Sequence, residues 1–143
     1  MLNIGRYAAA VPIWGAIALG GALGALARWL VAEALAGPLG YSGGFPWGTF
    51  AVNVIGCVLI GALAPALVNR AAWGVGFTIT GFLGGFTTYS AFAEETFLLL
   101  DRGDTGGVVL AAIYVLATIA ATAAAVSLGS RISPARPVGE SAP

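Results

Sequence analysis

The stretch Gly81-Phe-Leu-Gly-Gly-Phe-Thr-Thr-Tyr-Ser-Ala-Phe-Ala-Glu-Glu95 places glycines, hydroxyls, aromatic rings and two acids inside a long apolar run. In hydrocarbon every backbone N–H and C=O needs an internal partner. Irregular backbone therefore persists only where protein buries it or where it lines a polar cavity. A break here is costly, and building a site is the simplest reason to retain one. The chemistry on offer is that of weak ligands. Thr87, Thr88 and Ser90 carry hydroxyls, while Phe86, Tyr89 and Phe92 repeat every third residue. An aromatic ring has a positive edge. Such an edge can stabilise a dehydrated anion and still release it, as conduction requires. The same spacing also serves ordinary core packing. A joint in the helix would expose carbonyl oxygens near Gly84 and Thr87, which suit a hard cation such as Na+. Of Glu94 and Glu95, one can reach the interface and the other can bond inside a bundle. Together these residues read as the middle of an ion pathway.

Three other stretches carry polar groups at helical spacing. Thr49 and Asn53 stand four residues apart, so they share one wall of a helix. Asn53 can bond between helices or offer its NH2 donors to a permeating anion. Tyr114, Thr118 and Thr122 follow in steps of four and form a hydroxyl stripe in a helix of Ala, Val, Ile and Leu. A Thr hydroxyl often bonds the carbonyl one turn back in its own helix, so packing and a polar track are both open. Gly20, Gly24 and Arg28 also share a face. The glycines make a small-xxx-small motif for close helix approach. Arg28 either snorkels to the interface or draws anions toward a pore mouth.

The elements that position these residues follow from composition. The chain has 143 residues, 59% hydrophobic and only 8% charged, against roughly 25% charged in a soluble domain. That is an integral membrane protein. Net charge is zero, which gives no basic surface for nucleic acid. All 6 basic residues are Arg and His is absent, so no His general base, proton relay or metal ligand exists. The lone Cys57 reads as a small core residue. A transmembrane helix needs about 20 apolar residues, and four spans are expected, at about 8–36, 47–68, 72–100 and 106–128. The third is longer than one crossing requires, which fits two half-helices around an irregular joint. Gly37 to Pro46, Asn69-Arg70 and Asp101 to Asp104 read as connections. Residues 130–143, rich in Pro, Ser, Gly and Arg, read as a disordered tail. Arg6, Arg70, Arg131 and Arg136 fall on the side of the termini and Arg28 and Arg102 on the other, a modest bias toward cytoplasmic termini.

These residues carry a resemblance. Gly20 to Trp29, Gly48 to Gly56, Gly84 to Phe92 with Glu95, and the Tyr114, Thr118, Thr122 stripe are together similar to the Fluc (CrcB) family of small fluoride channels. The resemblance covers nearly all of residues 8–128. It implies a dual-topology homodimer, two copies inserted antiparallel about a two-fold axis in the cell inner membrane, with two fluoride pores along their interface. Na+ at the axis would be held by carbonyls of Gly84 and Thr87 from each copy. Thr49, Asn53, Tyr89, Phe92, Tyr114, Thr118 and Thr122 would line the pore. Arg28, Thr88, Ser90 and Glu95 would be vestibule or structural polar groups. The family commonly has Phe where this chain has Tyr89, and often Ser at the last two stripe positions. The implied function is passive export of cytoplasmic fluoride. Fluoride is small and strongly hydrated, so hydroxyls, an amide and ring edges must replace its water without a trapping charge.

Two rivals come from other classes. A proton-coupled exporter needs an acid deep in an early span, yet Glu33 ends the first span and the second has none. A non-transporting subunit would use the polar stripes only as interhelical glue. Enzymatic chemistry lacks a nucleophile–base pair, and no phosphate-loop motif is present for ATP-driven pumping.

Overall fold

The computed structural model describes residues 4–36, 44–67 and 69–133. Its elements are α1 (Ile4–Ala36), α2 (Trp47–Leu67), α3 (Ala72–Val75), a π-helical segment (Gly76–Leu83), α4 (Gly84–Phe86), α5 (Ser90–Asp101) and α6 (Thr105–Arg131). No strand occurs among the described residues. Three helices are long and apolar enough to cross a membrane, over Ile13–Leu35, Trp47–Leu67 and Thr105–Arg131. The stretch read as a further span, 72–100, is divided among shorter elements. Helical backbone stops at Phe86 and resumes at Ser90. Between them Thr87 is extended, with φ −75° and ψ 153°.

Element boundaries differ in places from those read in the sequence. α1 begins at Ile4 rather than near residue 8. α6 runs to Arg131, so Ser130 and Arg131, read as the start of the tail, are helical. Residues 134–143, the rest of that tail, and 37–43, most of the first loop, lie outside the described residues. The turn into α6 is set by local chemistry. Gly103 takes φ +67°, a left-handed conformation that glycine adopts without strain. Asp104 then caps α6, its Oδ1 accepting from the Gly107 N–H at 2.5 Å.

Two glycine seams hold the bundle. In the first, α1 lies against the segment from Gly76 to Phe86. A Cβ on Gly20 would collide with the Phe77 carbonyl oxygen, one on Gly24 with that of Phe82, and one on Gly85 with that of Gly21. In the second, α2 and α6 run parallel. A Cβ on Gly61 would strike the Val126 carbonyl and one on Gly129 that of Val58. In lipid, where burial drives helices together weakly, this backbone approach supplies van der Waals contact. The outer surface is apolar, and all 4 tryptophans are exposed. Trp14 and Trp73 stand at one end of the bundle and Trp29 and Trp47 at the other, since Gly76 meets Ile13 and Ile17 while Gly48 meets Ala32. Along α1 the two tiers are roughly 22 Å apart at 1.5 Å per residue. This is the arrangement of aromatic belts at two membrane faces.

Candidate functional site

The interrupted helix is stitched to α2 by one side chain. Asn53, buried at 8% exposure, donates from Nδ2 to the Thr88 carbonyl at 3.0 Å and accepts at Oδ1 from the Thr88 N–H at 2.8 Å. It acts as a surrogate backbone partner for the residue at the break. Asn carries a second N–H on Nδ2. Thr88 in turn uses its hydroxyl to accept from the Ala91 N–H at 3.2 Å at the start of α5, and it lies 3.2 Å from the Ser90 hydroxyl. These bonds divert two backbone donors. Thr88 N–H would complete the helical ladder to Gly84, and Ala91 N–H the ladder to Thr87, but both go to side chains. The carbonyls of Gly84 and Thr87 thus lose their usual donors, and Gly84 is exposed. Thr87 itself donates from Oγ1 to the Leu83 carbonyl at 2.9 Å.

Beyond the break α5 turns an acid inward. Glu95 is 6% exposed. One carboxylate oxygen accepts from the Thr49 hydroxyl at 2.6 Å, the other from the Tyr114 hydroxyl at 2.7 Å. One acid thereby ties α5 to both α2 and α6. Two hydroxyls read in the sequence as facing an ion are directed at this carboxylate instead. Phe92, one turn before Glu95 on α5, packs on the cluster of Leu99, Ala111 and Tyr114. Its ring centroid lies 5.2 Å from that of Tyr114 and 5.9 Å from that of Tyr89. Phe45 meets Tyr114 edge to face at 5.3 Å. Tyr89 is 80% exposed, on the outer surface of the chain.

The rest of the hydroxyl stripe splits in two. Thr118, one turn on from Tyr114, is buried at 6% exposure, and its Oγ1 has no hydrogen-bond partner. Thr122 donates to the Thr118 carbonyl at 2.7 Å, the ordinary in-helix bond. Arg28 is half-buried, and its Nε donates to the Gly85 carbonyl at 3.2 Å in the last turn before the break. Gly20, Gly24 and Arg28, on one face by spacing, therefore all meet the same neighbouring segment.

A model of the CrcB-like protein family, Camphor Resistance (CrcB), matches residues 15–130. The chain belongs to the CrcB family. Among its relatives, one from Paracoccus denitrificans is 46% identical over 114 residues, covering 79% of this chain and 87% of its own, and is named fluoride-specific ion channel FluC. Relatives of the same name from Rhizobium leguminosarum bv. trifolii and Geobacter sulfurreducens are 43% identical over 119 residues and 46% over 109. They cover 79% and 73% of this chain and 89% and 83% of their own. The family is one of ion channels, not enzymes. In this CrcB chain some of the candidate residues read from the sequence come together: Thr49, Glu95 and Tyr114 meet at one point, and Asn53, Thr88 and Ser90 gather at the break. Tyr89 stays outside, and Thr122 is closed on its own helix. Sequence reading missed the pairing of Thr49 and Tyr114 through Glu95. The available signal was a second acid in an apolar stretch, which in hydrocarbon requires donors.

Proposed function

We propose that this chain is a fluoride-selective channel of the cell inner membrane that exports cytoplasmic fluoride passively and lowers its toxicity. The ion path follows the seam between α2, α5 and α6, past Asn53, Phe92, Tyr114, Thr118 and Thr49. The observation that carries the reading is Thr118. Its hydroxyl is buried without a partner, a state costing about 1–3 kcal/mol, one turn from Tyr114, whose own hydroxyl is bonded to Glu95. A small anion passing that point supplies the missing acceptor. The names of the relatives support fluoride as that anion.

The seam supplies donors of water-like quality and no cation that would trap the ion. Thr49 and Tyr114 hold their protons toward Glu95, and fluoride entering there competes with a carboxylate oxygen for one of them. Asn53 keeps a second N–H for the ion while its other groups fix the break. The Phe92 ring edge adds a weak positive surface.

The working unit in this reading is an antiparallel, dual-topology homodimer with two pores. Exposed Tyr89 and exposed Gly84 lie on surface that a second copy would cover. The carbonyls of Gly84 and Thr87, relieved of their helical donors, fit a structural Na+ in chemistry, since hard cations take oxygen ligands. Arg28, Thr88, Ser90 and Glu95 hold the architecture around the path. Expression in a fluoride-sensitive bacterium tests the reading: growth in fluoride at acidic pH, where HF enters cells, should be restored. Full membrane expression without rescue would count against export.

A further inference from the structure

A cleft of about 540 Å³ opens beside the polar turn between α5 and α6, lined by Gly44, Pro46, Glu94, Glu95, Leu98, Leu99 and Arg102. It joins the polar turn to the buried carboxylate. From Arg102 back to Glu95 is seven residues of chain, roughly 10 Å at the helical rise. The cleft thus ends on the group that receives the Thr49 and Tyr114 hydroxyls. Arg102 is the one cation among the described residues that line it; the other charged residues described there are the acids Glu94 and Glu95. Arg102 is also held in place. Its guanidinium lies 3.6 Å from Asp104 Oδ2, while Asp104 Oδ1 is fixed as the cap of α6.

We infer that this cleft is an entrance for the anion and that Arg102 keeps it passable by offsetting the carboxylates around it. The inference rests on the channel reading above. Without Arg102 the mouth presents only acids, and an approaching anion meets a negative potential. Glu94, Glu95 and Asp104 work against Arg102, and together these groups set the local anion concentration at the mouth. Charges at this range act through water, and their effect must fade as salt shortens the screening length, from about 30 Å at 0.01 M to about 3 Å at 1 M.

The test is initial fluoride efflux from liposomes at low and high ionic strength, set with a salt of an impermeant organic anion. At low salt Arg102→Gln should conduct about two- to fourfold more slowly than the unsubstituted protein, from one unit charge acting over roughly 10 Å. Glu94→Gln should conduct faster by a similar factor. Asp104→Asn should also be faster, because Asn retains the helix cap while losing the charge. All three differences should shrink toward none near 1 M salt. Arg102→Lys keeps the charge and should match the unsubstituted protein, separating charge from folding. If the unsubstituted protein conducts but Arg102→Gln does too at an equal rate, or shows a deficit that salt does not change, the entrance assignment is overturned alone. If the unsubstituted protein passes no fluoride, the channel reading falls and this inference with it.

Discussion

The helical segment before the break and the helix after it are held by opposite means. From Gly76 to Phe86 the chain is fastened to α1 by glycines that bring backbone against backbone, and Arg28 adds one bond at the end. From Thr88 to Glu95 it is fastened by side-chain hydrogen bonds to Asn53, Thr49 and Tyr114. The first contact has no room for a side chain and carries little chemistry. The second uses its polar groups for position, while on α6 the buried Thr118 hydroxyl stays unmatched. A membrane protein can thus build rigidity from small residues on one side of a break and from side-chain hydrogen bonds on the other.

The glycine seam is the more sensitive of the two contacts to substitution. Gly24→Val pushes a side chain into the Phe82 backbone, which cannot rotate away. A loss of roughly 3 kcal/mol or more is expected, seen as reduced folded yield and a lower melting temperature in detergent. Normal stability would mean that α1 and the π-helical segment are not in this contact. At the polar seam, Asn53→Ala strands the Thr88 amide and carbonyl. Fluoride flux should fall roughly tenfold or more, the equivalent of about 1.4 kcal/mol of barrier, with an elution volume on size-exclusion chromatography equal to that of the unsubstituted protein. Unaltered flux would remove Asn53 from the path. Phe92→Ile keeps the bulk and deletes the ring edge; a decrease of about three- to tenfold is expected from the worth of one aromatic contact. Equal rates would return Phe92 to plain packing.

The hydroxyl stripe gives the finest discrimination. Thr118→Val removes a buried hydroxyl that has no partner, so stability should hold or rise by up to about 1 kcal/mol while flux drops a few-fold. An unchanged flux would return Thr118 to plain packing. Thr122→Val should leave flux near normal, because that hydroxyl is already bonded to its own helix.

Much of this arrangement is legible in the sequence because lipid makes hydropathy informative. The long apolar runs gave the helices, and the spacing of Gly20, Gly24 and Arg28 gave a shared face that the fold uses as one surface. The break is legible only approximately. A joint is legible near Gly84 and Thr87, yet Gly84 and Gly85 are helical, and Gly85 is there to meet α1. The backbone leaves the helix at Thr87 because Asn53 offers Thr88 an alternative partner. Such a cause lies 35 residues away in the chain and leaves no local mark. The same holds for Thr49 and Glu95, 46 residues apart. Helical spacing shows that two polar groups share a wall, but not which partner each finds. The π-helical segment, Gly76–Leu83, has no signature in its residue types.

The most direct measurement is efflux of fluoride and of chloride, side by side, from liposomes containing the purified protein. Rapid fluoride release with little chloride is expected, since a narrow seam of hydroxyl, amide and ring-edge donors admits the smaller ion. Release of both anions at similar rates, or of neither from folded protein, would contradict the channel reading.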